Sequence, residues 1–526
     1  MAKDHIVIFP FMAKGHTIPL IHFAAALSSR NLRITIVTTP GNAPFILQSL
    51  PSHPQPQPLD VDLLLLPFPH CPPLPAECES TDQLPSFDLF PLFVGATTLL
   101  RQPFERLLHQ LMSSDSPPLC LVSDFFLGWT LDICKEVDLP RLVFHGMSTF
   151  SMSLCKSLWT HLPHLPVHSE DPFHVPGTPS TLLVTRDVIP DTVLGSVDPL
   201  NPATQFLSQL GDSDVNSWGV LVNSFAALDG DDYFRLFESF YQQTNARAWL
   251  LGPLTLLSES LQLGESKAAS ATTTTARDRD DELDIDEYSS CIEWLNKDNR
   301  PPRSVVYVSF GTQAHVSEEQ LEEVAHGLEE SSYDYIWVVR SEKWSPPTKK
   351  GKLNKGKIVR WAPQVEVLKH GATGGFVSHC GWNSVLEGVS AGVPFLAWPM
   401  IAEQHLNAKH LVEELGAGLR FESTAADGTS TVVRREEVRD GVRELMGGER
   451  GRKARERVVE LSEKAKVAVA DGGSSRRTLG ELIDALRSRP PPQVVLHRIT
   501  KGEMVQVEEE EEEELQFEFR DGIRIG

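Results

Sequence analysis

Residues 361–404 read WAPQVEVLKHGATGGFVSHCGWNSVLEGVSAGVPFLAWPMIAEQ. A strand over Gly374 to Ser378 runs into a turn holding His379 and Gly381, and a helix starts near Trp382 or Asn383. A helix N-terminus offers unpaired backbone N–H groups and the positive end of the dipole, which suits a diphosphate. His379, Asn383 and Ser384 add side-chain donors beside it. Glu387 lies about one turn further on, within reach of the ribose of a nucleotide whose phosphates sit at the cap, and an ionised carboxylate is the acceptor a diol needs. Trp361 offers a flat face for a nucleobase, and Gln364 both donates and accepts. Glu403 and Gln404 follow the next strand, Val393 to Ala397, where a hexose on the diphosphate would project. These parts together form a cradle for a nucleotide sugar.

The same alternation of strand and helix extends to either side. Upstream, strand Val305 to Ser309 precedes the tight Phe310-Gly311-Thr312, a helix from Glu318 to Glu330 and strand Tyr335 to Val339. An independent series opens the chain: strand Ile6 to Phe9, a turn through Lys14-Gly15-His16, a helix from Ile18 to Leu27 and strand Leu32 to Thr38. Further strands are expected at Asp62 to Leu66, Leu119 to Ser123, Arg141 to Phe144 and Gly219 to Asn223. This is the rhythm of parallel, helix-covered sheets, which bind ligands outside the carboxyl ends of their strands. The predicted organisation is a first domain over 1–253, a linker with an acidic Ser/Thr-rich insert over 254–303, a second domain over 304–473, a closing helix over 474–489 and a solvated acidic tail over 490–526, where Glu508 to Glu514 repel one another.

A chain of 526 residues exceeds what one hydrophobic core serves, in keeping with two domains. The net charge of −23 argues against nucleic acid and anionic membranes as partners. The start runs directly into a strand, no long apolar span appears, and seven cysteines lack metal-ligand spacing. A cytoplasmic monomer with reduced thiols and without membrane insertion is expected.

The run from Trp361 to Gln404 resembles the signature box of the plant secondary-product glycosyltransferases, uridine-diphosphate-dependent enzymes with an α/β GT-B fold of two Rossmann-like doubly wound domains facing across a cleft. The resemblance extends over most of residues 3 to 486. It implies that Trp361 stacks on uracil, Gln364 and Glu387 hold the ribose, His379, Asn383 and Ser384 hold the diphosphate, and Trp382, Glu403 and Gln404 contact the sugar. The donor-binding set is completed by Thr312, Ala362 and Gly381, and a closing Gln404 goes with glucose. Phe9-Pro10-Phe11, Gly15-His16 and Pro19 resemble the loop carrying the family's catalytic histidine, and Val122-Ser123-Asp124-Phe125-Phe126 the segment supplying its paired aspartate.

An imidazole titrating near neutrality suits a general base, so His16 is the candidate base and Asp124 its support. Inverting transfer of glucose from UDP-glucose, a co-substrate, to a hydroxyl of a small lipophilic or phenolic acceptor is the expected reaction. No resident cofactor or metal is expected, and no Asp-x-Asp motif lies near the box. Phe126 and His145, closely following strand ends, are the candidate acceptor contacts, with Phe87 to Phe93, Phe144 and Phe150 as further apolar lining. The alternative is a catalytically impaired UDP-sugar-binding relic or interaction protein: the short Lys-rich stretch between Arg340 and Trp361 lacks a Leu-Pro-x-Gly-Phe-like motif that the family usually carries there. A nicotinamide dehydrogenase would need a Gly-x-Gly-x-x-Gly turn after a strand, and none is present.

Overall fold

The computed structural model describes residues 3–50, 59–168, 171–195, 200–262, 282–297, 300–314, 316–341, 343–346, 355–421 and 432–489. In the first lobe the strands are β1 (His5–Phe9), β2 (Arg33–Thr38), β3 (Val61–Leu65), β4 (Pro118–Asp124), β5 (Arg141–His145), a short hairpin of β6 (Phe173–His174) and β7 (Leu183–Val184), β8 (Gly219–Val222) and β9 (Arg247–Leu250). The second lobe contributes β10 (Val305–Ser309), β11 (Asp334–Val338), β12 (Gly356–Val359), β13 (Thr373–Ser378), β14 (Phe395–Ala397) and β15 (Gly418–Arg420). The first sheet has the order β3-β2-β1-β4-β5-β8-β9 and the second β12-β11-β10-β13-β14-β15, and both are parallel.

Both sheets reverse direction of growth beside their first strand. The switch falls between β1 and β4 in one lobe and between β10 and β13 in the other. At such a point the connections leave on opposite faces and open a crevice at the carboxyl ends. Phe9 ends opposite Ser123, and Ser309 opposite Ser378. His16 in the first turn of the helix after β1, Asp124 at the end of β4, and Gly311 and His379 in the loops after β10 and β13 all lie at these strand ends, so topology alone gathers them. Strand cores such as Ile6, Ile8, Val305 and Tyr307 are apolar throughout, as strands covered on both faces require.

Two boundaries differ from the expectation. Composition marks 254–303 as linker, but Leu254–Gln262 is a helix packed along the helix Lys14–Ser28 with Leu254 and Leu257 buried. The helix Glu282–Asn296 carries Cys291 and Leu295 into the second lobe's core. Apolar spacings of three and four residues outweigh the polar composition around them. The rest of the insert and the acidic tail lie outside the described residues. The closing helix Ser474–Arg487 crosses back to the first lobe, where Leu479, Leu482, Ile483 and Leu486 join the core of β1, β2 and β4. Ser475 Oγ donates to the Gly252 carbonyl at 2.6 Å, and Arg487 pairs with Asp4. The Lys-rich stretch before Trp361 ends in β12, an edge strand paired in register with β11.

Candidate active site

His16 is expected in a turn, but the helix starts earlier, at Lys14, and holds it in the first turn. Its Nδ1–H donates to Asp124 Oδ2 at 2.8 Å. Asp124 is the last residue of β4 and fully buried, and its Oδ1 accepts the backbone N–H of Phe126 at 3.0 Å. One carboxylate thus caps the short turn Phe125–Leu127 and fixes the imidazole tautomer, leaving Nε2 without a proton. Burial pushes the His16 pKa down, but the charge of Asp124, its hydrogen bond and the Glu403 carboxylate of the other lobe outweigh that and hold it above the ordinary value. Phe11 and Phe126 each lie 5.6 Å from the His16 ring, centroid to centroid, and Phe90 stands edge-on to Phe126. They make an apolar wall beside the imidazole.

His145 is not part of that wall, contrary to expectation. It is 1% exposed and its Nε2 bonds Asp214 at 2.9 Å, in a buried network with Lys156 and Tyr241. Proximity to a strand end does not reveal which way a side chain turns, and on β5 this one turns toward the helix Pro202–Val215. Phe144 and Phe150 are likewise core. The side chain of Phe87 lies outside the described residues.

In the second lobe, Gln364 Nε2 donates to Glu387 at 2.6 Å and to Ser384 Oγ at 2.8 Å, while its Oε1 accepts from the Tyr307 hydroxyl. Burial pushes the Glu387 carboxyl up to about 7, against the stabilising bond from Gln364. Gln364, Ser384 and Glu387 are therefore preassembled. Trp361 and Ala362 follow the carboxyl end of β12, Trp361 half-buried and Ala362 8% exposed.

His379 fits between two glycines. A Cβ on Gly311 would sit 2.6 Å from its Nε2, and one on Gly381 would also collide with that atom. Gly311 in addition has φ +78°, so glycine is required there on two counts. Burial drives the His379 pKa down to about 4, partly offset by the Ser309 carbonyl, so the ring is neutral near pH 7. Thr312 lies half-buried in the same turn, and its neighbour Gln313 donates to Thr81 of the first lobe at 2.7 Å.

The two lobes meet through the site itself. Pro19 has no N–H for the Gly15 carbonyl four residues back, and Asn383 Nδ2 donates to that carbonyl at 2.6 Å. The Trp382 indole, expected at the sugar, is 2% exposed and donates to the Asn223 carbonyl at 2.8 Å. Any contact of Trp382 with a sugar therefore falls to its backbone N–H in the first turn of the helix Trp382–Ala391. Gln404 Oε1 accepts the N–H groups of Met400 and Ile401, both at 3.0 Å, which fixes its amide. Burial raises the Glu403 pKa against the charge of His16. Asn407, which the sequence does not single out, joins these parts: it donates to the Cys380 carbonyl and Glu403, and accepts from Ser151 of the first lobe. Its only sequence signal is the spacing of four residues from Glu403 on a helix. A cavity between the lobes is lined by Ile18, Pro19, Asn223, Lys369, Asn383 and Glu387.

Residues 290–439 match the family described as UDP-glucoronosyl and UDP-glucosyl transferase. The chain is 37% identical to UDP-glycosyltransferase 73B4 of Arabidopsis thaliana, over 92% of this chain and 99% of that protein. It is also 37% identical to anthocyanin 3'-O-beta-glucosyltransferase of Gentiana triflora, over 93% and 100%. Among solved structures, Medicago truncatula UGT71G1 complexed with UDP-glucose superposes with a TM-score of 0.72 at 28% identity, covering 92% of this chain and 98% of that one.

Proposed function

Because the chain belongs to the plant UDP-dependent glycosyltransferases of GT-B fold, we propose that its cleft transfers glucose from UDP-glucose to a hydroxyl of a small aromatic acceptor, with inversion at the anomeric carbon. The observation carrying this reading is the His16–Asp124 pair at the switch point of one sheet, close enough to Glu403 of the other lobe for the two charges to act on each other.

The acceptor hydroxyl gives its proton to His16 Nε2 as its oxygen attacks the anomeric carbon from the face opposite the diphosphate. The bond from that carbon to the phosphate oxygen breaks, and UDP leaves with the electron pair. An α-linked donor gives a β-glycoside. Asp124 stabilises the imidazolium that results. Charge grows on the leaving diphosphate, and the N-terminus of the helix Trp382–Ala391, with His379 and Ser384, supplies fixed dipoles to it. Glu387 and Gln364 hold the ribose, Trp361 the base, and Glu403 and Gln404 the hexose. Phe11, Phe90 and Phe126 support an aromatic acceptor standing against His16.

The test is to incubate the purified protein with labelled UDP-glucose and a panel of phenols. Transfer should occur and fall about 10²- to 10⁴-fold in His16→Ala. Undiminished transfer by that variant would overturn the assignment. Tight UDP-glucose binding without turnover would favour the relic, and a preference for UDP-galactose would remove the inference from Gln404.

A further inference from the structure

Arg141, the first residue of β5, is 1% exposed, and its guanidinium donates to four side-chain hydroxyls and two main-chain carbonyls. Nε donates to Ser123 Oγ at 2.7 Å and Thr130 Oγ1 at 3.0 Å. Nη1 reaches Ser217 Oγ at 2.7 Å, Ser213 Oγ at 3.0 Å and the Ser213 carbonyl at 3.3 Å. Nη2 donates to the main-chain carbonyl of Asp124 at 3.2 Å. Among the described residues no carboxylate stands within ion-pair distance of this guanidinium, a costly arrangement for a buried charge, which an apolar side chain of the same volume would avoid.

The nearest anions explain it. Asp214 is already matched by Lys156 at 2.5 Å, His145 and the Tyr241 hydroxyl. Asp124 has no lysine or arginine of its own among the described residues, and Arg141 is the fixed cation behind it. The planar fork also does what a lysine point charge would not: it ties the end of β4 to the start of the helix Thr130–Glu136 and to the end of the helix Pro202–Val215.

We propose that Arg141 is a positioning residue for the transfer reaction: its guanidinium locks the main chain at Asp124 to two flanking helices, so that Oδ2 faces His16 in one fixed orientation. This rests on His16 acting as the base. The ionisable groups facing His16 are Asp124 and Glu403, and those facing Arg141 are Cys134, Asp214 and Asp124.

The test is a double-mutant cycle in the full chain. Arg141→Lys keeps the charge and loses the fork, and should lower kcat by about 10²-fold while the KM for UDP-glucose holds. Its acid limb should move down toward the ordinary histidine value as Asp124 slackens. In an Asp124→Ala background the same substitution should cost nothing further. Equal losses in both backgrounds, or a matching rise in the KM for UDP-glucose, would overturn the inference and leave the base in place. A kcat unchanged by Asp124→Ala would instead overturn the pair and this inference with it. Should Arg141→Lys fail to fold, Ser217→Ala, which removes one anchor of the fork, takes its place in the same cycle.

Discussion

At the scale of single residues, the site is governed by two groups whose ionisation burial and neighbours displace. His16 must be neutral to accept a proton, and its pKa is raised, so activity is lost on acidification sooner than for an ordinary histidine. The acid limb of kcat/KM should have its midpoint above about 6.5, the free-imidazole value. A midpoint at or below that value would show that Asp124 does not hold the ring as described. Glu387 is also pushed up, to about 7, and in the proposed reading it faces the ribose, where the ionised carboxylate accepts from both hydroxyls and the protonated acid, with one oxygen carrying a proton, accepts less well. UDP affinity, measured by calorimetry without acceptor, should therefore weaken as pH falls through 7, and Glu387→Gln should bind less tightly with that pH dependence gone. The two effects separate because one appears in catalysis and the other in binding.

At the scale of elements, Gly311 shows how a turn can be dictated by a side chain beyond the neighbouring strand. Gly311→Ala would force a positive φ on an L-residue and push its Cβ into His379. If this turn faces the diphosphate as proposed, strain of about 1–3 kcal/mol there should raise the KM for UDP-glucose about tenfold or more, read by steady-state kinetics. An unchanged KM would mean that the turn takes no part in donor binding. The central strands β1, β4 and β10 were legible from sequence, since they have the near-continuous hydrophobic runs of buried parallel strands. The peripheral β9, β12 and β15, of three or four residues each, carry too little pattern to be found. Within the box, Gln364 and Glu387 were singled out together from sequence, and the structure joins them by a hydrogen bond of 2.6 Å. The inward turn of the Trp382 indole and the Asp214 bond of His145 were not, because each depends on a residue more than 60 positions away in the chain.

At the scale of the whole molecule, the lobes are bound by polar contacts that converge on the cleft and by a shared apolar seam. Leu406 of the second lobe is buried among Phe150 and Leu154 of the first, and Phe225 and Leu228 join the second lobe's core. Phe150 also stacks on His410. The closing helix is a further tie, with Leu479, Leu482, Ile483 and Leu486 in the first lobe's core. Leu482→Ala, remote from the cleft, should destabilise the protein by about 2–5 kcal/mol in denaturant titration while leaving the KM for UDP-glucose unchanged. A negligible loss would mean that the helix rests on the first lobe without completing it.

That closing helix also dictates the order in which the protein can mature on the ribosome. The first lobe is translated first, yet the apolar face that Leu479 to Leu486 cover belongs to β4 and β9, hundreds of residues upstream. The nascent amino-terminal half must therefore wait with that face unshielded while the entire second lobe is made. Molecular chaperones that hold apolar surface during synthesis would find their target there, and release becomes final only when the last turn of this helix has emerged.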